Sequence, residues 1–185
     1  MNPLLERLGH DHRRLTLLLS LLERLLDQFR DGLEPDYELM CELMEYLTDY
    51  SDQAHHPSED RIFERVLAQQ GTGHAILGQL MKQHQILGQL NRRFKESLEG
   101  IVHEEVLRRD DVERQGRELI AQLREHMRIE DEQAFPLAEA CLSEEAWAEI
   151  LALAPNVQDP VFGQPDPERF RALYRQLNLE PDGGP

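Results

Sequence analysis

The chain has 185 residues, and its 36 acidic side chains against 20 Lys and Arg give a formal net charge of −16. That balance sets it against phosphate backbones and anionic lipid, because each contact would add repulsion that counterion release does not offset; neither nucleic acid nor a membrane is expected as a partner. Leu, Glu, Arg and Gln dominate over Val, Ile, Thr and aromatics, which favours helix nearly throughout, and the length suits one compact unit.

Leu5, Leu8, Leu15, Leu19, Leu22 and Leu26 recur at helical spacing with His12 on the same stripe. They predict a first helix from about residue 3 to residue 31, ended by Asp31, Gly32 and Pro35. Its apolar run from Leu15 to Leu22 is interrupted by Thr16 and Ser20 and stops at Glu23, far short of the ~20 residues of a membrane span. Glu6, Asp11 and two histidines sit where a cleavable signal would be apolar, so a cytoplasmic location is expected. Asp36 is placed to cap a second helix with Leu39, Leu43, Leu47, Ala54, Ile62 and Val66 on its buried face, broken at Gly71 and Gly73. Pro57 inside it predicts a kink that frees the Gln53 carbonyl.

A third helix carries Leu77, Leu80, His84, Leu87, Phe94 and Leu98 on one face and decays through Gly100. A fourth, capped by Asp111, aligns Leu119, Leu123, His126, Glu130, Ala134 and Leu137, with Pro136 bending its last turns. Ser143 opens a short helix to about Leu153; Pro155, Pro160, Pro165 and Pro167 mark an irregular crossing before a last helix near residues 167 to 178. Cys41 and Cys141 form no CxxC, so neither a disulfide framework nor a thiolate metal site is indicated. The expected fold is all-α: an antiparallel up-down four-helix bundle over residues 1–142, short additional C-terminal helices over 143–180 packed on it, and a disordered tail over 181–185.

Two segments share the pattern H-x-x-x-E: His55 with Glu59 on the second helix and His126 with Glu130 on the fourth. A spacing of four turns the direction by ~40° and advances ~6 Å, so imidazole and carboxylate stack on one helix face within reach of one ion. Heights counted from the links agree. His12 is about 18 residues from the end of its helix and His55 about 19 from the start of the next, each near 28 Å at the helical rise. Glu59 and His84 each lie about 11 residues from the glycine break, near 17 Å by the same rise. Around the last link the counts are about 17 residues from His84 and about 15 to His126, so all four helices present these groups at one level.

Four imidazoles and two carboxylates cannot satisfy one another in an apolar layer, whereas a metal satisfies them all. Two carboxylates able to bridge suit a pair of first-row ions; iron is favoured, with zinc and manganese open. His10, His74 and His103 are read as surface residues, Arg13 and Arg14 as solvated, and Tyr46, Tyr50, Phe63 and Met81 as core packing near the layer with one phenol able to donate to a ligand.

The segments GHDHRRL, HHPSED, MKQHQIL and EHMRIEDEQAFPLAE together resemble the motifs of the hemerythrin-like HHE cation-binding family over about residues 3 to 141. The resemblance implies that His12, His55, His84 and His126 are terminal ligands, that Glu59 and Glu130 are carboxylates bridging two irons, and that an oxo or hydroxo group also bridges the pair. Three departures stand out. The third helix has one well-placed histidine where oxygen-carrying members have two, spaced four apart. The fourth helix uses H-x-x-x-E, as bacterial members do. His56, beside His55, could supply a fifth imidazole, leaving open which of the two is the main ligand from that helix. The function expected is binding of dioxygen or a related diatomic such as nitric oxide for sensing, storage or iron handling. A di-iron enzyme of iron–sulfur cluster repair or of nitric oxide or peroxide removal is the alternative, and a structural or partner-binding bundle is a third.

Overall fold

The computed structural model describes residues 2–69, 74–164 and 166–178, and these contain helices and loops with no strand. Helix α1 spans Pro3–Arg30, with the Asn2 side chain accepting from the Leu4 N–H at 2.9 Å and proline in the first turn, where a missing N–H costs nothing. It ends at Gly32, whose φ of 83° lets Leu33 N–H close on the Gln28 carbonyl at 3.0 Å and Gly32 N–H on that of Phe29 at 3.3 Å. Asp36 caps α2 (Tyr37–Tyr50) as predicted, accepting from the Leu39 N–H at 2.9 Å.

Just before Pro57 the second rod changes helix type. Between α2 and α3 (His56–Leu67) lies one π turn, Ser51–His55, in which the His56 N–H reaches back five residues to the Ser51 carbonyl. A second π turn, Glu130–Ala134, joins α5 (Arg109–Ile129) to α6 (Phe135–Cys141), with the Phe135 N–H on the Glu130 carbonyl. Each wide turn stands directly before an X-Pro pair, His56-Pro57 and Phe135-Pro136, so the extra residue loosens the turn against which the proline ring would press. It also crowds neighbouring side chains onto one face: Ala54, His55 and His56 are all buried. Ser58 donates to the Ala54 carbonyl at 2.6 Å and accepts from Arg7 at 2.8 Å.

Helix α4 runs His74–Val102. The cap expected at Asp111 is instead Arg108; Asp110 and Asp111 fall inside the first turn of α5, where their charge complements the exposed N–H groups. The long helices pack α1 on α2 and α5, and α4 on α2 and α5, closing the antiparallel bundle. Among the described residues no helix is long and apolar enough to cross a membrane. Beyond the bundle, α7 (Glu144–Leu153), capped by Ser143, adds Ala146, Trp147 and Ile150 to the core at one end. The last helix among the described residues is α8, Arg171–Leu177; it lies on α2, where Glu42 accepts from the N–H groups of Ala172 at 3.1 Å and Leu173 at 2.8 Å. The predicted break at Gly71 and Gly73, Pro165 and the tail from Pro181 lie outside the described residues.

The apolar interior forms two clusters. One gathers Leu15 to Phe29, the buried face of α2, Leu87, Phe94, Leu98 and Leu119 to Met127. The other holds Leu4, Leu5, Leu8, Ile62, Phe63, Leu77, Leu80 and Phe135. Between them sits a buried polar layer of His12, His55, His56, Glu59, His84, His126 and Glu130. In the larger cluster Gly116 marks a close helix crossing, since a Cβ there would stand 2.7 Å from Leu26 Cδ1 and 2.8 Å from Phe94 Cζ. Both neighbours are fully buried and cannot swing away. Gly116→Val should therefore lower stability by about 3 kcal/mol through overpacking, seen as a lower urea midpoint at unchanged m-value.

Candidate metal centre

The layer is assembled from four rods that each deliver their donors at one height. His12 comes from α1, His55, His56 and Glu59 from the junction of the first π turn with α3, His84 from α4, and His126 and Glu130 from the junction of α5 with the second π turn. All seven residues predicted from the sequence meet there, each no more than 6% exposed.

Four imidazoles turn Nε2 inward toward the two carboxylates. Glu59 Oε1 lies 3.2 Å from His55 and 3.3 Å from His12, while its Oε2 lies 3.5 Å from His84. Glu130 Oε1 lies 3.1 Å from His126 and 3.3 Å from His84, while its Oε2 lies 3.5 Å from His12. Each carboxylate thus spans the two halves of the layer. Yet Nε2 of His12 and of His126, both oxygens of Glu59 and Oε2 of Glu130 make no hydrogen bond among the described residues, although all are buried. Orphaned lone pairs at such density are costly unless a cation takes them up. Two overlapping groups have the spacing to hold one: His12, His55 and Glu59, and His56, Glu59, His84 and His126, each with its ligand atoms within 4.8 Å of one another. The donor set, imidazole nitrogen with carboxylate oxygen, fits a first-row metal.

The outward nitrogens are held by a set of side chains that sequence reasoning missed. His12 Nδ1 donates to Asp131 at 2.8 Å, His84 Nδ1 to Asp60 at 2.7 Å, His126 Nδ1 to the Gln83 amide oxygen at 2.9 Å and His55 Nδ1 faces Asp11 at 3.4 Å. Each acceptor is the chain neighbour of a donor in the layer and reaches the imidazole of the next rod, so the contacts close a ring around the bundle. A signal existed: both H-x-x-x-E motifs continue with aspartate, and Asp11 and Gln83 directly precede the single histidines. One residue further along a helix turns ~100°, from the bundle axis toward the adjoining helix. Such partners fix the tautomer and leave Nε2 free as the ligand atom.

His56 stands apart. Its ring stacks on His84 with centroids 4.4 Å apart, and among the described residues it has no hydrogen-bonded carboxylate. Burial, followed by the neighbouring His84, pushes its pKa well below the ordinary 6.5, so it is neutral. Elsewhere the phenol of Tyr50 donates to Asp11 rather than to a ligand, and Phe63 flanks His84. His10 and His103 are exposed and His74 is half-buried. Arg14 is not simply solvated: it stands 3.6 Å from Asp11 and 3.2 Å from Asp159.

Without a metal, protons take the place of the cation. Burial opposes charge on His12, His84 and His55, but the carboxylates around them outweigh it. Asp131 and Glu59 raise His12 to about 10, Asp60 and Glu130 raise His84 to about 10, and Glu59 and Asp11 raise His55 to about 9. Burial likewise opposes charge on Glu59, yet His55 and His12 hold it well below the ordinary 4.5; Glu130 is lowered by His126 and His84 against burial and the Glu59 charge.

The family model of the Hemerythrin HHE cation binding domain matches residues 4–138 of the chain. No curated protein and no solved structure matches it significantly.

The raised imidazole pKa values contribute stability to the metal-free chain that is fully present below 6.5 and lost as pH rises through about 9 to about 10. The lowered carboxyls contribute stability above 4.5 that is lost on acidification. Metal must displace the Nε2 protons, so adding zinc at pH 7.5 in weak buffer should release on the order of two to three protons per chain. Release should shrink as the starting pH is raised toward 10; a pH indicator measures it, and zinc uptake without proton release would contradict the assignment.

Proposed function

Since the chain belongs to the hemerythrin HHE cation-binding domain family, we propose that its polar layer holds two iron ions and presents them to dioxygen or a related diatomic such as nitric oxide. His12 and His55 would hold one ion, His84 and His126 the other, with His56 added to the second, and Glu59 and Glu130 would serve both. The observation that carries this reading is the split of both carboxylates: one oxygen of each faces His12 and the other faces His84. A single ion would leave half of those oxygens orphaned in a dry layer. Zinc and manganese are accepted by the same donors, but zinc has no redox chemistry with which to supply a diatomic with electrons.

The chain's own residues suit binding more than turnover of an organic substrate. Apolar side chains close the layer on both sides: Phe135 stacks on His12 at 5.3 Å, Phe63 lies 6.2 Å from His84, and Leu8 and Leu15 on either side of His12 are fully buried. With these side chains around it, no donor of the layer is more than 6% exposed. A cleft of about 500 Å³ opens from the surface to His56 and His84, past Asp60, Met81, Gly88 and Arg92, and offers a small ligand a route to the second half of the layer. Gly88 stands one helical turn beyond His84 and lines that route without a side chain.

Iron-loaded protein reduced without oxygen should be nearly colourless. On exposure to dioxygen it should develop near-ultraviolet and visible charge-transfer bands that fade when the gas is removed. A spectrum that stays blank in air would contradict the proposal.

A further inference from the structure

The carboxylate that holds His55 differs from the groups that hold the other imidazoles. Asp131, Asp60 and Gln83 reach in from exposed or half-buried positions, at 2.7 to 2.9 Å. Asp11 is buried, 1% exposed, and stands 3.4 Å from His55 Nδ1. Its attention is divided. Asp11 Oδ2 also accepts from the Tyr50 hydroxyl at 3.1 Å, and Oδ1 faces the Arg14 guanidinium at 3.6 Å.

Arg14 is held in turn from the C-terminal extension. Its Nη1 donates to Asp159 Oδ2 at 3.2 Å, and its guanidinium lies over the Phe162 ring, 5.0 Å from the centroid. Asp159 is itself buried and fixed by its own loop, with Oδ1 accepting from the N–H groups of Val161 and Phe162 at 2.8 Å. A second arm runs parallel: the Tyr46 hydroxyl donates to Asp159 Oδ2 at 3.1 Å, and its ring stacks on Tyr50 at 5.5 Å. One cation is therefore shared between two buried carboxylates, of which one orients a donor of the metal layer and the other belongs to a segment outside the family match, which ends at residue 138.

We propose that Asp159 is a positioning residue through which the C-terminal extension sets how firmly His55 is held for the metal: by taking its share of Arg14, it leaves Asp11 free to accept from His55. This rests on the reading of His55 as a metal donor. If Asp159 lost its charge, Arg14 would pair with Asp11 alone and draw the carboxylate off the imidazole, weakening both the orientation of the ring and its basicity as a ligand. If Arg14 lost its charge, Asp11 would turn wholly to Tyr50 and His55. The two changes act in opposite directions.

Asp159→Asn keeps an oxygen for the Val161 and Phe162 N–H groups, so the loop has its anchor. In zinc titrations of the full chain this variant should lose about tenfold affinity at one of two sites and none at the other. In zinc-loaded protein labelled with 15N-histidine, its His55 Nδ1 proton should move upfield while those of His84 and His126 hold. Arg14→Gln should move the same proton downfield with no loss of affinity, and it serves as the test alone if Asp159→Asn does not fold. An unmoved His55 proton, shifts of the same sign in both variants, or equal weakening at both zinc sites would overturn the proposal. Uptake of fewer than two zinc ions by the unaltered chain would count against the paired site instead, and the His55 proton of metal-free protein would then carry the test with the same expected signs.

Discussion

Ionised carboxylates in a buried layer cost several kcal/mol each unless opposite charge and hydrogen bonds surround them, and the bundle is organised around meeting that cost for Glu59 and Glu130. Both are fully buried between two apolar clusters, with imidazoles from every rod around them. The outward nitrogens of four imidazoles are committed to Asp131, Asp11, Asp60 and Gln83, which leaves the inward ones no choice of tautomer. Charge can then enter the layer only as protons on Nε2 or as a cation in their place. A cation satisfies the orphaned oxygens as well, which protons on three of the imidazoles do not.

The ring of outward contacts also ties the rods to one another. Each contact crosses from one helix to its neighbour, so a slip of any helix by one turn would strand an imidazole and a carboxylate together. The apolar stripes alone tolerate such a slip far better, because leucine surfaces are nearly interchangeable along a helix. Register is in this sense set by the polar layer, and bulk stability by the leucines above and below it.

Much of this was legible in the sequence because it follows from periodicity: the stripe of Leu5 to Leu26, the two H-x-x-x-E pairs and their matched heights all derive from helical geometry. What was not legible depends on neighbours. Pro57 signals a disturbance, but not that a π turn accommodates it, and here that turn brings Ala54, His55 and His56 inward together. Asp60 and Asp131 carry no mark of their role in the sequence, because an acidic residue beside a ligand is usually solvated and only the adjoining helix shows otherwise. Arg14 was misread for a longer-range reason, since the carboxylate that claims it lies 145 residues further along the chain. The expected cap at Asp111 failed because α5 begins at Arg109, ahead of the aspartate that looked like its start.

The paired site is tested most directly by X-ray absorption at the iron edge of protein loaded with iron and oxidised in air. A bridged pair requires an iron–iron scattering vector of roughly 3.5 Å together with the outer-shell pattern of imidazole ligands. Imidazole scattering with no iron–iron vector, at one ion per chain, would contradict it.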